Sequence, residues 1–352
     1  MNNNVESAPK ILKESKNKIT VDFERTSKLE RMRLKYLSVS YFGLLLWRVL
    51  RFLLLLGISY IILYPFFSKI MASFMGEKDF VDVTVKLIPK YPTLDTYKAI
   101  IVDLQYFQAL LNTFLLSLAA ALIQTFVCSF IGYGFAKFKF RGSKLLFMLV
   151  VFTMIVPHST IQLALFVKFK YFDIYSIMKL LGGGVTESFD VIGGITSIDL
   201  TGTLWPLMIL SFGGLAFKNG LYIFLMRQFF RGVPDELEES AYIDGSGVFR
   251  TFIKIVLPLS VPMMITIFLF SFSWQWTDKF YTDLLYSNNK MYMLPHLIGK
   301  TIPSLDFGAA ETIAEAAAQN TIGLMIIAPL IIVYLFCQRY LVEGIERSGI
   351  TG

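Results

Sequence analysis

Long apolar runs, repeated along most of the chain and separated by charged connections, set the first limit on what this sequence can fold into. A helix needs roughly 20 consecutive apolar residues to cross a hydrocarbon core about 30 Å thick. Runs of that length are expected to form membrane-spanning helices at about 50–74, 108–136, 144–168, 203–226, 255–277 and 320–338. Of the 352 residues, 55% are hydrophobic and 17% charged, more apolar surface than a soluble core of this size would use. The excess has to face lipid. The expected fold class is therefore an all-α polytopic membrane protein with six transmembrane helices.

The basic residues orient those helices. Lys10, Lys13, Lys16, Lys18, Arg25, Lys28, Arg31, Arg33 and Lys35 precede the first run, and Lys137, Lys139, Arg141 and Lys144 lie between the second and third with no acid among them. Loops rich in Lys and Arg stay in the cytoplasm. The stretches 75–107, 169–202 and 278–319 carry at least as many acids as bases and fit the outside. Six spans then return both termini to the cytoplasm. Residues 1–48 form a basic cytoplasmic tail ahead of a membrane domain at 49–352, and the tail has no apolar h-region near its start of the kind a cleavable signal peptide carries. Its alternating charges allow either a surface helix near Thr26 to Tyr36, drawn to anionic headgroups, or a solvated segment that only enforces topology.

Between the fourth and fifth runs lies a polar segment with ordered signals, Val233 to Pro258. Pro234 suits the first position of a helix, and Asp235, Glu236, Glu238 and Glu239 place negative charge where the helix dipole favours it. Asp244-Gly245 supplies a stop, and Ser246 is suited to cap a second short helix beginning near Val248. The segment reads as a helix-turn-helix bracket just outside the membrane, on the cytoplasmic side.

Glu239-Ser240-Ala241, Gly245 and Ile255-Val256-Leu257-Pro258, at their fixed spacing, resemble the EAA loop of ATP-binding cassette (ABC) importer permeases. Ser240 replaces the usual Ala, one small residue for another. The run from Leu257 to Met264 is similar to the carbohydrate branch of these permeases, the MalG-like family, as are Leu221 to Gly245, Gly132 to Leu146 and Gln338 to Gly352. The likeness covers roughly Tyr60 to Gly352. It implies the type I importer (MetI-like) architecture in a prokaryotic cell membrane, with an EAA coupling loop at 233–258 and a C-terminal cytoplasmic tail at 339–352 that reaches towards the ATPase interface. The partners it implies are a second permease subunit, a cytoplasmic ATPase dimer that binds the ATP, an extracellular solute-binding protein and a carbohydrate substrate. In the coupling loop it implies packing in an ATPase cleft by Leu237, Ala241 and Tyr242, polar contacts from Glu239 and Asp244, the turn at Gly245, and a motif closed by Ile255, Leu257 and Pro258.

No GxSxG, HExxH or phosphate-binding GxxxxGK[ST] pattern occurs in the chain, so a transport subunit without catalytic residues, metal or cofactor of its own is expected, with membrane lipid and no nucleic acid among its contacts. Cys128 and Cys337 fall inside runs without a CxxC pair or a histidine at metal spacing, and His158, after Pro157, is expected to satisfy backbone at a kink in the third run.

Polar side chains inside the runs mark a path, because ionisable groups in lipid cost at least about 2.5 kcal/mol. Asn112 and Gln124 lie in the second run, and Trp274, Gln275 and Asp278 cluster at the outer end of the fifth. These five have two readings. An aromatic ring beside an amide and a carboxylate suits a sugar, while Trp at an interface is also an anchor and buried amides join helices. Lys218, among Gly213, Gly214 and Gly220, is expected to snorkel or to cap carbonyls freed at the glycines. Gly182 to Gly184 and Gly193-Gly194 make the 169–202 loop either a surface for a binding protein or a tolerated insertion. The rival class is a self-contained secondary transporter or channel for a small polar solute. Such a protein would show inverted repeats and midplane carboxylates, and neither is evident here.

Overall fold

The computed structural model describes residues 39–173, 197–286, 291–305 and 311–347. The surface helix expected near Thr26 to Tyr36, the glycines of the 169–202 loop and the last residues of the tail lie outside the described residues. The chain divides into two units, Met1–Phe66 and Phe67–Gly352. The first holds most of a 34-residue helix, α1, Val39–Ala72. Side chains such as Leu46, Leu53, Tyr60, Ile61 and Leu63 stand exposed on all its sides, as on a helix whose solvent is lipid.

The second unit continues with short helices α2 (Glu77–Val81) and α3 (Asp95–Asp103), then the 32-residue α4 (Tyr106–Lys137). Helix α5 (Ser143–Ile155), a 3-10 turn (His158–Ile161) and α6 (Gln162–Lys170) lead to a two-residue antiparallel pair, β1 (Phe172–Asp173) with β2 (Ser197–Ile198). Then come α7 (Trp205–Phe212), α8 (Asn219–Arg231), α9 (Glu236–Ile243) and α10 (Val248–Thr251). A π turn (Phe252–Val256) and α11 (Leu257–Leu259) connect to α12 (Val261–Thr277), α13 (Phe280–Leu285) and finally α14 (Glu311–Arg347).

Among the described residues three helices are long and apolar enough to span a membrane, at Leu45–Ala72, Tyr106–Lys137 and Thr312–Val342. The number reaches five if two bent pairs each count as one span: Ser143–Ile155 with His158–Lys170, bent by 94°, and Val248–Leu259 with Val261–Thr277, bent by 75°. Several expected runs are thus interrupted. The third, 144–168, breaks where Val156 is extended ahead of Pro157, whose ring disfavours helical backbone in the residue before it. The fourth, 203–226, separates into α7 and α8, because Gly214 and Lys218 both take left-handed backbone at φ 67°. The fifth starts at Val261 rather than 255, its first residues belonging to the second arm of the bracket. The sixth is longer than expected and keeps residues 339–347 of the supposed tail helical.

Helix α4 organises this unit. It packs against α7, α8 and α12, and α12 in turn packs against α14. Its inner face is a stripe of small or polar residues, Ala109, Thr113, Ser117, Ala120, Ala121, Gln124, Cys128, Ser129 and Gly132, spaced three and four apart. Small side chains let backbones approach. Hydroxyls of Thr125 and Ser129 fold back on carbonyls four residues earlier, while the Gln124 amide bridges three helices: it donates to Ser211 on α7 at 3.2 Å and accepts from Ser271 on α12 at 2.8 Å. Pro329 inside α14 has no N–H for the Met325 carbonyl, and the Tyr106 hydroxyl donates to that oxygen at 2.9 Å instead. The buried Trp276 indole donates to Ile326 O one residue on, at 2.9 Å.

The closest approach in this packing is at Gly132, where a Cβ would fall 2.6 Å from Met226 Cβ and 3.0 Å from the Arg227 backbone nitrogen. Gly134, two residues on, faces open space. Overpacking of this kind costs about 1–3 kcal/mol. Gly132→Ala is therefore expected to lower the thermal transition of the purified protein and Gly134→Ala to leave it within error of wild type, as measured by a fluorescence unfolding assay in detergent.

Candidate functional sites

The bracket is closed by its own backbone. Helix α9 ends with Gly245 at φ 79°, the Gly245 N–H donating to Tyr242 O at 3.0 Å and the Ser246 N–H to Ala241 O at 2.9 Å. This pair of bonds is the Schellman arrangement, which needs a residue comfortable in the left-handed region. Ser246 therefore completes the first helix instead of capping the second, whose N-cap is Gly247 without a side-chain bond. At the other end α9 begins with Glu236 after Asp235, two residues later than Pro234 suggested. Pro258 has no N–H for the Lys254 carbonyl, and the second arm widens there into the π turn.

What fixes the bracket is a group of side chains the sequence pattern did not single out. Lys137, at the end of α4, donates to Val233 O at 2.7 Å and to Asp235 Oδ1 at 2.5 Å, and stands 3.4 Å from Glu238 Oε1. The Tyr133 hydroxyl, one turn earlier on α4, donates to Glu238 Oε2 at 3.0 Å, with the Tyr242 hydroxyl 3.5 Å from the same oxygen. The Lys137 and Glu238 side chains are each 8% exposed, so this is a buried ion pair in which Glu238 Oε1 faces the ammonium without accepting a hydrogen bond among the described residues. Next to the exposed Asp235, the same ammonium holds the carboxyl below its ordinary range. Beneath lies an aromatic cluster in which the Tyr133 ring is 4.6 Å from Phe252 and 5.6 Å from Phe230. The available signals were the spacing of Tyr133 and Lys137 on one face of α4 and of Glu238 and Ala241 on one face of α9.

That inner face changes one expectation. Ala241 is 4% exposed and turned towards its own chain, not towards a partner. The outer face carries Leu237, Tyr242, Ile243, Val248 and Phe249, all exposed, with Glu239 and Asp244 beside them. Ile255 and Leu257 are half-buried and Pro258 exposed. A soluble domain would rarely leave such a patch of large apolar side chains uncovered.

The five residues considered for a substrate path do not form one cluster. Asn112 donates to Tyr292 O at 2.9 Å, Gln124 is engaged between helices, and Gln275 is buried. Asp278 accepts from the backbone of Phe280 and Tyr281 at 3.1 and 3.2 Å, so its carboxylate caps α13. Trp274 presents its ring, 49% exposed. Its neighbours are residues of the break between α7 and α8. Lys218 Nζ lies 4.8 Å from the Trp274 ring centroid and 4.7 Å from that of Phe217, and the two rings meet at 5.5 Å. No carbonyl or carboxylate accepts from the Lys218 ammonium among the described residues, in contrast to the capping role expected of it. His158 does not satisfy backbone either: its Nδ1 and the Tyr281 hydroxyl are 3.0 Å apart, and its ring is 4.7 Å from Phe217. Phe152, His158, Leu210, Gly214, Phe217 and Lys218 line a cavity of about 410 Å³ between the breaks. Each cation–π contact is worth about 0.5–2 kcal/mol.

Residues 128–347 match the family described as "Binding-protein-dependent transport system inner membrane component". The chain is 28% identical over 304 residues to the galactooligosaccharides transport system permease protein GanQ of Bacillus subtilis (strain 168), an alignment covering 86% of this chain and 94% of that one. It is also 28% identical over 308 residues to the polygalacturonan/rhamnogalacturonan transport system permease protein YtcP of the same organism, covering 85% and 96%. In fold it is similar, with a TM-score of 0.61 at 21% identity, to a chain in the crystal structure of a bacterial ABC transporter involved in the import of the acidic polysaccharide alginate, covering 90% of this chain and 99% of that one.

Removing one partner of a buried ion pair costs on the order of 3–5 kcal/mol, because the other charge is left uncompensated. Lys137→Met and Glu238→Gln are each expected to raise hydrogen exchange across residues 233–251. The double variant is expected to exchange less than the sum of the two predicts, and strict additivity would mean that the two side chains act independently.

Proposed function

This chain belongs to the family of binding-protein-dependent transport system inner-membrane components, and we propose that it is one permease half of an ABC importer for oligosaccharides. The observation that carries the reading is the bracket: an apolar outer face on a two-helix element whose inner face is tied by Lys137, Glu238 and Tyr133 to the end of a membrane-length helix. Such an element passes on motion as a lever does. A push on Leu237, Tyr242 or Phe249 is delivered to α4 through an ion pair and packed rings, and through α8 and α12 to the helices around it.

In this reading six spans are made by α1, α4, the broken pair α5 and α6, the broken pair α7 and α8, α12, and α14, with both termini and the bracket in the cytoplasm. The broken pairs stay compatible with a membrane because non-helical backbone is tolerated where it is buried in protein or lines a cavity. Partners supply the remaining parts. An ATPase dimer receives the bracket and binds the nucleotide, a second permease completes the path, and a solute-binding protein delivers the sugar from outside. Closure of the ATPases on ATP moves the bracket, and rigid-body rotation of the attached helices opens the path to one side and then the other. Support for a carbohydrate comes from the names of the relatives, which include galactooligosaccharides and polygalacturonan/rhamnogalacturonan, and from the exposed ring of Trp274.

Gly245 allows a clean test of the lever. A Cβ there meets no atom within 4 Å, so a substitution acts through the backbone alone. Left-handed backbone costs a non-glycine residue about 1–2 kcal/mol, which reopens the turn and re-aims the second arm. Gly245→Asp is expected to insert and assemble normally and to abolish ATP-driven uptake of a galactooligosaccharide by the reconstituted importer. Wild-type uptake at wild-type abundance would remove the coupling role.

A further inference from the structure

We propose that Lys218, flanked by the rings of Phe217 and Trp274, is a binding station for the carboxylate of an acidic oligosaccharide in transit. The inference rests on the reading of the chain as an oligosaccharide permease and narrows it to a substrate class.

Depth comes first. Helix α8 runs 13 residues from Asn219 to Arg231 at the start of the bracket, which at 1.5 Å per residue is about 20 Å. Trp274 lies a comparable distance along α12 from Val261. In the six-span reading, lysine and tryptophan therefore meet about 20 Å from the bracket, on segments taken to cross a hydrocarbon core about 30 Å thick. A cation at that depth ordinarily snorkels to the headgroups or pairs with an acid. Lys218 has no such acid: its ammonium lies 4.7 Å from the Phe217 ring centroid and 4.8 Å from that of Trp274, and no carboxylate lies within 4 Å of it among the described residues. The nearest histidine, His158, has its Nδ1 engaged with the Tyr281 hydroxyl.

Backbone conformation points the same way. Lys218 is one of two non-glycine residues with positive φ among those described, at 67°, a conformation that a glycine would adopt without strain. Strain held at one cationic residue in a helix break is the kind of feature that accompanies function. The ammonium opens on the cavity of about 410 Å³, large enough for a sugar ring and its substituents. Trp274, half exposed, is not part of the cavity lining but stands next to it, against Phe217 and Lys218, and offers a face on which the C–H side of a pyranose stacks. A neutral sugar would use the ring and leave the cation unpaired. A uronate would use both, with its carboxylate as the counter-ion that none of the described residues supplies within 4 Å.

The test uses the assembled importer in nanodiscs of zwitterionic phosphatidylcholine, titrated with trigalacturonate and, separately, with its neutral counterpart galactotriose. The chain has four tryptophans, so the Trp274 signal is taken as the difference between wild type and Trp274→Phe. Trigalacturonate is expected to quench that signal saturably and less well as salt is raised. Lys218→Met weakens its apparent affinity by about tenfold or more while Lys218→Arg keeps it within a few-fold, since the charge is the point of contact. Galactotriose responds identically in all three. Equal response to the two sugars, or an unchanged trigalacturonate titration in Lys218→Met, overturns the proposal. So does a Trp274 change produced by phosphatidylglycerol in the disc and not by either sugar, which would make the site one for a lipid headgroup. Because Lys218→Arg keeps the charge, a folding defect confined to Lys218→Met shows as its loss of response to both sugars, and the salt dependence of the wild-type titration then decides. Uptake is measured beside binding. An importer that moves no carbohydrate removes the oligosaccharide reading itself, whatever the titrations give.

Discussion

The ammonium of Lys137 is the point through which two otherwise separate parts of the molecule act on each other. It ends α4, the helix whose small-residue stripe receives α7, α8 and α12, and it begins the contact with a bracket whose first helix follows α8 by only four residues. Covalent connection through Gly232 and Val233 would leave that bracket free to swing. Three oxygens on it, from Val233, Asp235 and Glu238, remove the freedom by converging on one nitrogen. An ion pair of this kind adds little net stability, because desolvation cancels most of the attraction. Its value lies in geometry: a misplaced bracket leaves a buried carboxylate and a buried ammonium both unpaired.

The membrane portion obeys a different constraint, the need to pair every backbone polar group in hydrocarbon. Where helices are continuous the ladder does this. Where proline interrupts it, side chains from neighbouring helices substitute, as the Tyr106 hydroxyl does for the Met325 carbonyl. The breaks near Pro157 and Gly214 are larger, and they border the same cavity. Irregular backbone, a strained lysine and an exposed tryptophan thus occur together, away from the bracket yet at helices packed against α4, to whose end the bracket is tied.

Much of this was readable from residue order. Apolar runs located α1, α4 and α14 well, because a continuous lipid-facing helix is decided by local composition. The Asp244-Gly245 turn was legible for the same reason, a left-handed position being a local demand. Interruptions were harder. Lys218 and Gly214 sit in a run whose hydropathy suffices for a span, and only packing against α4 and α5 reveals that the helix stops and restarts there. The inward face of Ala241 was hidden too, since a short helix with apolar residues at Leu237, Ala241, Tyr242 and Ile243 does not say which side will be covered. Glu238 was read as one acid in a dipole-favoured turn. Its partners, Tyr133 and Lys137, are about a hundred residues away, and no pattern in one sequence joins them.

The central claim is that the bracket is a rigid lever whose outer face meets an ATPase. A photo-crosslinking phenylalanine analogue in place of Phe249, which is 66% exposed, tests it directly when compared with the same analogue in place of the fully buried Val256. In the assembled importer, position 249 is expected to give an adduct with the ATPase subunit whose yield changes on addition of ATP, while position 256 gives adducts only within its own chain. A complex that transports sugar yet forms no ATPase adduct from position 249 would contradict the account.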